Sequence, residues 1–227
     1  MKQKFTILFD LDGTLVDTAP DLMLAHNHVM KKFGYPTKST EDIRNLVGKG
    51  AGALIGRSIW GQAKKEFSKV LDAKIKDEMV KEFVNFYGKN IVNESTLVTG
   101  VKDFLIWCKE QNISMAVCTN KQEHLSNDLL KKIGIYDFFE YVAGSDTFDY
   151  CKPDPRHLTN VVEILDGDVK KTIMIGDSET DANAAKAAEI PVILLENGYT
   201  EKNTNEIYHN HLIKNFIDIE KIIKKYL

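Results

Sequence analysis

From Phe5 the chain reads Phe-Thr-Ile-Leu-Phe, a short β-branched and aromatic block that predicts a buried strand, closed by Asp10 and broken by Gly13. The period then changes. Between Thr18 and Gly34 the apolar positions Leu22, Ala25, Val29, Met30 and Phe33 share one helical face. Thr18 is placed to cap that helix, Pro20 suits its first turn and Gly34 follows its end. Further helices are expected over Thr40–Val47, Ala51–Trp60 and from near Lys64 to Tyr87, with no comparable strand signal before Asn93. From Leu97 helix and strand alternate. Helices are expected over Val101–Gln111, over Gln122–Ile133 up to Gly134, after Pro155, and up to Ala188. Strands are expected over Ile113–Cys118, Glu140–Ala143, Thr172–Ile175 and Val192–Leu195. Short apolar strands separated by helices imply a parallel sheet covered on both faces.

The expected fold is therefore α/β. Residues 1–16 and 93–227 would form a Rossmann-like parallel-sheet core, and residues 17–92 an α-helical cap inserted after the first strand. A length of 227 residues with 43% apolar content allows a core of that size. Charged residues are 28% and the formal net charge is −3, so nothing electrostatic argues for nucleic acid or a membrane as partner. The three cysteines, Cys108, Cys118 and Cys151, are widely spaced and show no paired-ligand pattern, which suits free thiols in a reducing compartment. The basic opening Met-Lys-Gln-Lys precedes an apolar run that Asp10 interrupts too early for a signal-peptide core. No stretch approaches the ~18 apolar residues of a membrane span. A soluble cytoplasmic protein is expected.

In sheets of this kind, sites form beyond the carboxyl ends of the strands. Four polar stretches fall there: Asp10-Leu11-Asp12-Gly13-Thr14, Cys118-Thr119-Asn120, Lys152-Pro153-Asp154-Pro155, and Gly176-Asp177-Ser178-Glu179-Thr180-Asp181. In an extended backbone Asp10 and Asp12 point to the same side, and two carboxylates held close repel unless a cation or a shared proton compensates. Acids with few other ligands suit Mg²⁺, while neutral donors with one lysine suit a phosphoryl group. Taken singly, each stretch has a bland explanation as a turn, a helix cap or a solvated loop. Taken together, in this order after strands, they point to phosphate chemistry.

The stretches DLDGTLVDT, AVCTNK, CKPDP and MIGDSETDANAAKAA resemble, in order, the four motifs of the haloacid dehalogenase superfamily of phosphohydrolases. The helical insert resembles the small cap that many members carry. VGKGAGALIGRSI, LVTGVKDFL, DTFDYCKPDP and NGYT further resemble the bacterial phosphatases of that superfamily that act on 2-phosphoglycolate. Asn197-Gly198-Tyr199 departs from the usual pattern of an aromatic residue before the glycine; lying outside the four motifs, the departure bears on the assignment of substrate rather than on the chemistry.

The resemblance implies that Asp10 is a nucleophile forming an aspartyl-phosphate, and that Asp12 protonates the leaving group and then deprotonates water. Mg²⁺ would be held by Asp10, Asp177 and the Asp12 backbone carbonyl, with Asp181 orienting its water shell. Thr119, the Asn120 backbone and Lys152 would hold phosphate oxygens. In the cap, Arg44 and Lys49 beside Gly48 and Gly50 are candidates to read a substrate carboxylate, or are solvated residues of an inter-helix turn. The expected partner is a small phosphorylated metabolite. The alternatives are another small-molecule phosphatase acting on pyrophosphate or a sugar phosphate, a phosphomutase, a phosphonoacetaldehyde hydrolase using Lys49 as a Schiff base, and a non-catalytic binding module. His209 and His211 are expected at the surface, and Met23, Met30 and Met79 in the core.

Overall fold

A computed structural model describes residues 4–60, 69–217 and 219–227. The chain begins with β1 (Thr6–Phe9) and β2 (Val16–Asp17), then α1 (Ala19–Phe33), α2 (Thr40–Leu46), α3 (Ala51–Trp60) and α4 (Lys69–Lys89). It returns through β3 (Thr96–Leu97) to α5 (Val101–Glu110), β4 (Ser114–Cys118), α6 (Glu123–Ile133), β5 (Tyr141–Ala143) and α7 (Arg156–Ile164). It ends with β6 (Thr172–Gly176), α8 (Glu179–Ala187), β7 (Val192–Leu195), β8 (His211–Ile213) and α9 (Glu220–Ile223). The part of the expected fourth helix from Lys64 to Ser68 lies outside the described residues.

Six strands form a parallel sheet in the order β5-β4-β1-β6-β7-β8. Phe9, the last residue of β1, faces Val117 on one side and Ile175 on the other. The three central strands therefore end level, and the loops leaving them emerge at one sheet edge. Alternation along β1 divides the core. Ile7 and Phe9 pack with Val117 and Ile175 beneath Leu105 of α5 and Leu129 of α6. Leu8 packs with Ala116 and Met174 beneath Val161 of α7 and Ala185 of α8. Each of the larger side chains (Leu, Ile, Val, Phe, Met) taken from water contributes about 1.5–3 kcal/mol, so both faces of the sheet demand a covering layer.

Between β2 and β3 the regular elements among the described residues are all helices. α1 packs on α2 and α4, and α3 packs on α4. Met30 and Met79 are buried and Met23 is half-buried in these contacts. The outgoing and returning segments run antiparallel as β2 and β3, with Val16 opposite Leu97 and Asp17 opposite Thr96. Asp21, buried in α1, accepts from the backbone amides of Asn93, Glu94 and Ser95 and from the Ser95 hydroxyl. It thereby fixes the return of the chain to the sheet.

Several expectations are corrected. The Thr18 hydroxyl does not cap α1; it donates to Asp12 Oδ1 at 2.7 Å. The two-residue strands β2 and β3 are too short to display alternation. β8 and α9 were not expected, and β8 is an edge strand whose residues are all half-exposed, which weakens any apolar signal. His211 contacts the Tyr226 hydroxyl at 2.9 Å, and His209 is half-buried with Nδ1 by the Ile207 carbonyl. Among the described residues no helix is long and apolar enough to cross a membrane.

Candidate active site

Asp10 comes directly after β1, and its amide donates to the Ile175 carbonyl of β6, which fixes the backbone where the strand ends. Asp177 succeeds β6 in the same way. Asp181 lies in the first turn of α8, where Oδ2 accepts from the Ser178 hydroxyl at 2.7 Å and from the amides of Asp177 and Ser178. The capping box formed with Ser178 thus also aims Asp181 at the sheet edge. One carboxylate oxygen from each of Asp10, Asp177 and Asp181 lies within 4.8 Å of the others, and all three residues are buried.

Lys152, buried, reaches into this cluster. Its Nζ donates to Asp10 Oδ1 at 2.8 Å and to Asp181 Oδ1 at 2.5 Å. Burial alone would lower its pKa, but the two carboxylates outweigh burial and raise it, so the ammonium stays charged. Burial, the largest influence, lifts Asp10 to about 6; Lys152 opposes that shift and Asp181 adds to it. Asp177 is raised well above the usual range by burial and then by repulsion from Asp10 and Asp181. Three buried acids thus share one lysine. The donor set, hard oxygens with an uncompensated negative charge, fits a divalent cation such as Mg²⁺. Asp177 is seated tightly for that task. A Cβ on Gly13, whose φ is +85°, would lie 2.2 Å from Asp177 Oδ2.

Asp10 and Asp12 both line a cavity of about 280 Å³ between the sheet edge and the helical segment, together with Thr119, Asn120 and Lys49. The Asp12 carboxylate stands apart from the acid cluster. It accepts from Thr18 and is held by Lys121, whose Nζ is 2.8 Å from each of its oxygens. Lys121 also lies 4.5 Å over the Tyr87 ring of α4. The Asn120 side chain donates to the Lys152 carbonyl at 2.9 Å and to the Gly48 carbonyl at 3.1 Å, joining the sheet edge to the α2–α3 turn. Opposite these polar groups the cavity wall is apolar, formed by Leu54, Phe83 and Leu125 among others.

The structure brings together Asp10, Asp12, Thr119, Asn120, Lys152 and Asp177, with exposed Lys49 at the cavity wall. It does not bring Arg44 there. The Arg44 guanidinium donates to Asp17 Oδ2 at 2.7 Å and lies 5.4 Å over the Tyr199 ring, outside the cavity lining. Asp17 ends β2, 27 positions before Arg44, and the local pattern around Arg44 does not reveal that partner. Lys121 was missed although it closes the AVCTNK stretch, because a lysine after a helix-cap pair carries no local sign of burial. The Asn197-Gly198-Tyr199 loop lies against Asp177, with the Tyr199 amide 2.6 Å from Oδ2.

Comparisons with known proteins agree with this geometry. A family model for haloacid dehalogenase-like hydrolases matches residues 7–195. A protein of Caulobacter vibrioides named phosphoglycolate phosphatase is 39% identical over 216 residues, covering 95% of this chain and 89% of its own. One of the same name from Mesorhizobium japonicum is 37% identical over 210 residues, covering 92% and 90%. A crystal structure described as a predicted phosphoglycolate phosphatase from Haemophilus somnus superposes with a TM-score of 0.89 at 31% identity, covering 98% of this chain and 99% of its own.

Proposed function

The chain belongs to the haloacid dehalogenase-like hydrolases and is a phosphatase of that family; from that premise we propose that it cleaves 2-phosphoglycolate to glycolate and phosphate with Mg²⁺ bound at the sheet edge. The observation that carries the reading is the buried trio Asp10, Asp177 and Asp181 around Lys152, opening on a cavity that also contains Asp12. The names of the relatives and the small volume of that cavity support the substrate.

Asp10 attacks phosphorus and displaces the alcohol, giving an aspartyl-phosphate. Asp12 delivers a proton to the departing oxygen, then takes one from the water that releases phosphate and regenerates Asp10. Lys121 and Thr18 hold Asp12 in one orientation for both steps. Thr119 and the Asn120 backbone receive phosphate oxygens, and Lys152 offsets the charge on the nucleophile. Asp10, Asp177 and the Asp12 carbonyl would hold the cation, with Asp181 orienting its surroundings. Mg²⁺, when bound, supplies charge neutralisation for the transferring phosphoryl group. Residues 17–92 act as a cap that excludes bulk water, and Lys49 meets the substrate carboxylate.

The test is a panel of 2-phosphoglycolate, pyrophosphate, a sugar phosphate and phosphonoacetaldehyde, with phosphate detection across a Mg²⁺ titration. The reading predicts Mg²⁺-dependent release with the highest kcat/KM on 2-phosphoglycolate. A higher kcat/KM on another member of the panel overturns the substrate, and no release from any member overturns the mechanism.

A further inference from the structure

We infer that Tyr199 is a positioning residue that couples the β2–α1 junction at Asp17–Ala19 to the cation-binding carboxylate Asp177, an inference that rests on the magnesium reading above. Two ends of one residue make the link. The Tyr199 amide donates to Asp177 Oδ2 at 2.6 Å. Its hydroxyl donates to Asp17 Oδ1 at 2.5 Å and accepts from the Ala19 amide at 2.8 Å. The hydroxyl therefore does what Thr18 does not: it satisfies the first amide of α1, at the point where the chain leaves the sheet for the helical segment.

The loop has no slack. A Cβ on Gly198 would lie 2.3 Å from the Asp177 carbonyl, and one on Gly13 would lie 2.9 Å from the Tyr199 ring. The ring is 2% exposed and Arg44 covers its face while pairing with the other oxygen of Asp17. Burial pulls Asp17 upward, but the hydrogen bonds from Arg44 and Tyr199 outweigh burial and keep its carboxyl below the usual value, a charged acceptor for the hydroxyl. Tyr199 does not line the catalytic cavity, so it acts through Asp177 and not on substrate. Because both contacts belong to one residue, any change in the backbone at Asp17–Ala19 bears through the tyrosine on the amide that orients Asp177. By linkage, a cation on Asp177 favours the hydrogen-bonded junction seen here.

Tyr199→Phe keeps the ring and the amide and removes only the hydroxyl. Calorimetric titration with Mg²⁺ alone is expected to show Kd raised about 5- to 30-fold, with kcat at saturating Mg²⁺ changed by less than about threefold. Tyr226→Phe, which removes the hydroxyl facing His211, is the control for a lost tyrosine hydrogen bond and should stay within about twofold of wild type. A Tyr199→Phe Kd within about twofold of wild type overturns the inference. The wild-type protein supplies a second measurement: saturating Mg²⁺ should slow hydrogen exchange at the Ala19 amide by about threefold or more, and unchanged exchange overturns the inference. Wild-type protein that binds no Mg²⁺ overturns the magnesium reading together with this one, whereas normal binding with an unaffected variant overturns this one alone.

Discussion

Lys121 sets its ammonium nitrogen 2.8 Å from each carboxylate oxygen of Asp12, with only 5% and 12% of the two side chains exposed. So close a pair, largely withdrawn from water, holds the carboxylate in place and offsets its charge. Lys121→Met removes both ammonium contacts to Asp12 and leaves Thr18 alone to hold it, without altering the groups proposed to hold phosphate. It should lower kcat about 10- to 100-fold, with KM changed much less. Steady-state phosphate release measures both; an unchanged kcat would mean that the lysine is structural.

Asp10→Asn should leave the fold intact, because Lys152 retains Asp181 as a partner at 2.5 Å. Turnover should fall about 10⁴-fold or more, since the amide cannot serve as the nucleophile. Asp12→Asn should lose about 10²- to 10⁴-fold in turnover while still binding inorganic phosphate. Circular dichroism, phosphate titration and kinetics on both variants check this, and near-wild-type turnover in either would remove that residue from its role.

Proton and metal compete for the acid cluster. Asp10 has a folded-state pKa of about 6 against 3.8 as its ordinary value, chiefly from burial. Through that window the folded protein binds the proton more tightly than the unfolded chain does, so ionising Asp10 destabilises the metal-free protein as pH rises. A cation favours the ionised form and offsets that loss. At a fixed Mg²⁺ concentration the rise in Tm should therefore be small near pH 5 and grow as pH rises through about 6 and above, since Asp177 is also raised. A Mg²⁺ shift that is flat or falls with pH in thermal melts contradicts the assignment.

Asp21→Ala deprives three backbone amides and one hydroxyl of their shared acceptor where the chain returns to the sheet. The loss should cost about 3 kcal/mol, or roughly 6–12 °C in Tm for a chain of this size. Differential scanning calorimetry measures it. A melting point unchanged from wild type would show that water or a neighbour replaces the carboxylate.

The legible features of the chain were local ones. Asp10 and Asp177 could be read because each stands directly after a short apolar run, and that position in a parallel sheet is a place for chemistry. Lys152 could be read because it was the lysine beside a proline in the expected order of stretches. Tyr199 could not, because its hydroxyl meets Asp17 across 182 positions and no local pattern encodes such a pairing. Lys121 was hidden for the same reason, its partner Asp12 lying 109 positions away. Arg44 looked free in its turn, yet Asp17 and the Tyr199 face claim it. Thr18 looked like a cap, but its backbone (φ −98°, ψ −4°) is helical and not the extended form of a capping residue, its hydroxyl turns to Asp12, and the Tyr199 hydroxyl takes the Ala19 amide.

The account depends on Asp10 becoming phosphorylated, and borohydride reduction during turnover tests that most directly. Reduction of an aspartyl-phosphate converts the side chain to homoserine, which peptide mass spectrometry locates. The account predicts homoserine at position 10 when substrate and Mg²⁺ are both present, and aspartate when either is omitted. Continued phosphate release with Asp10 recovered unmodified would contradict it.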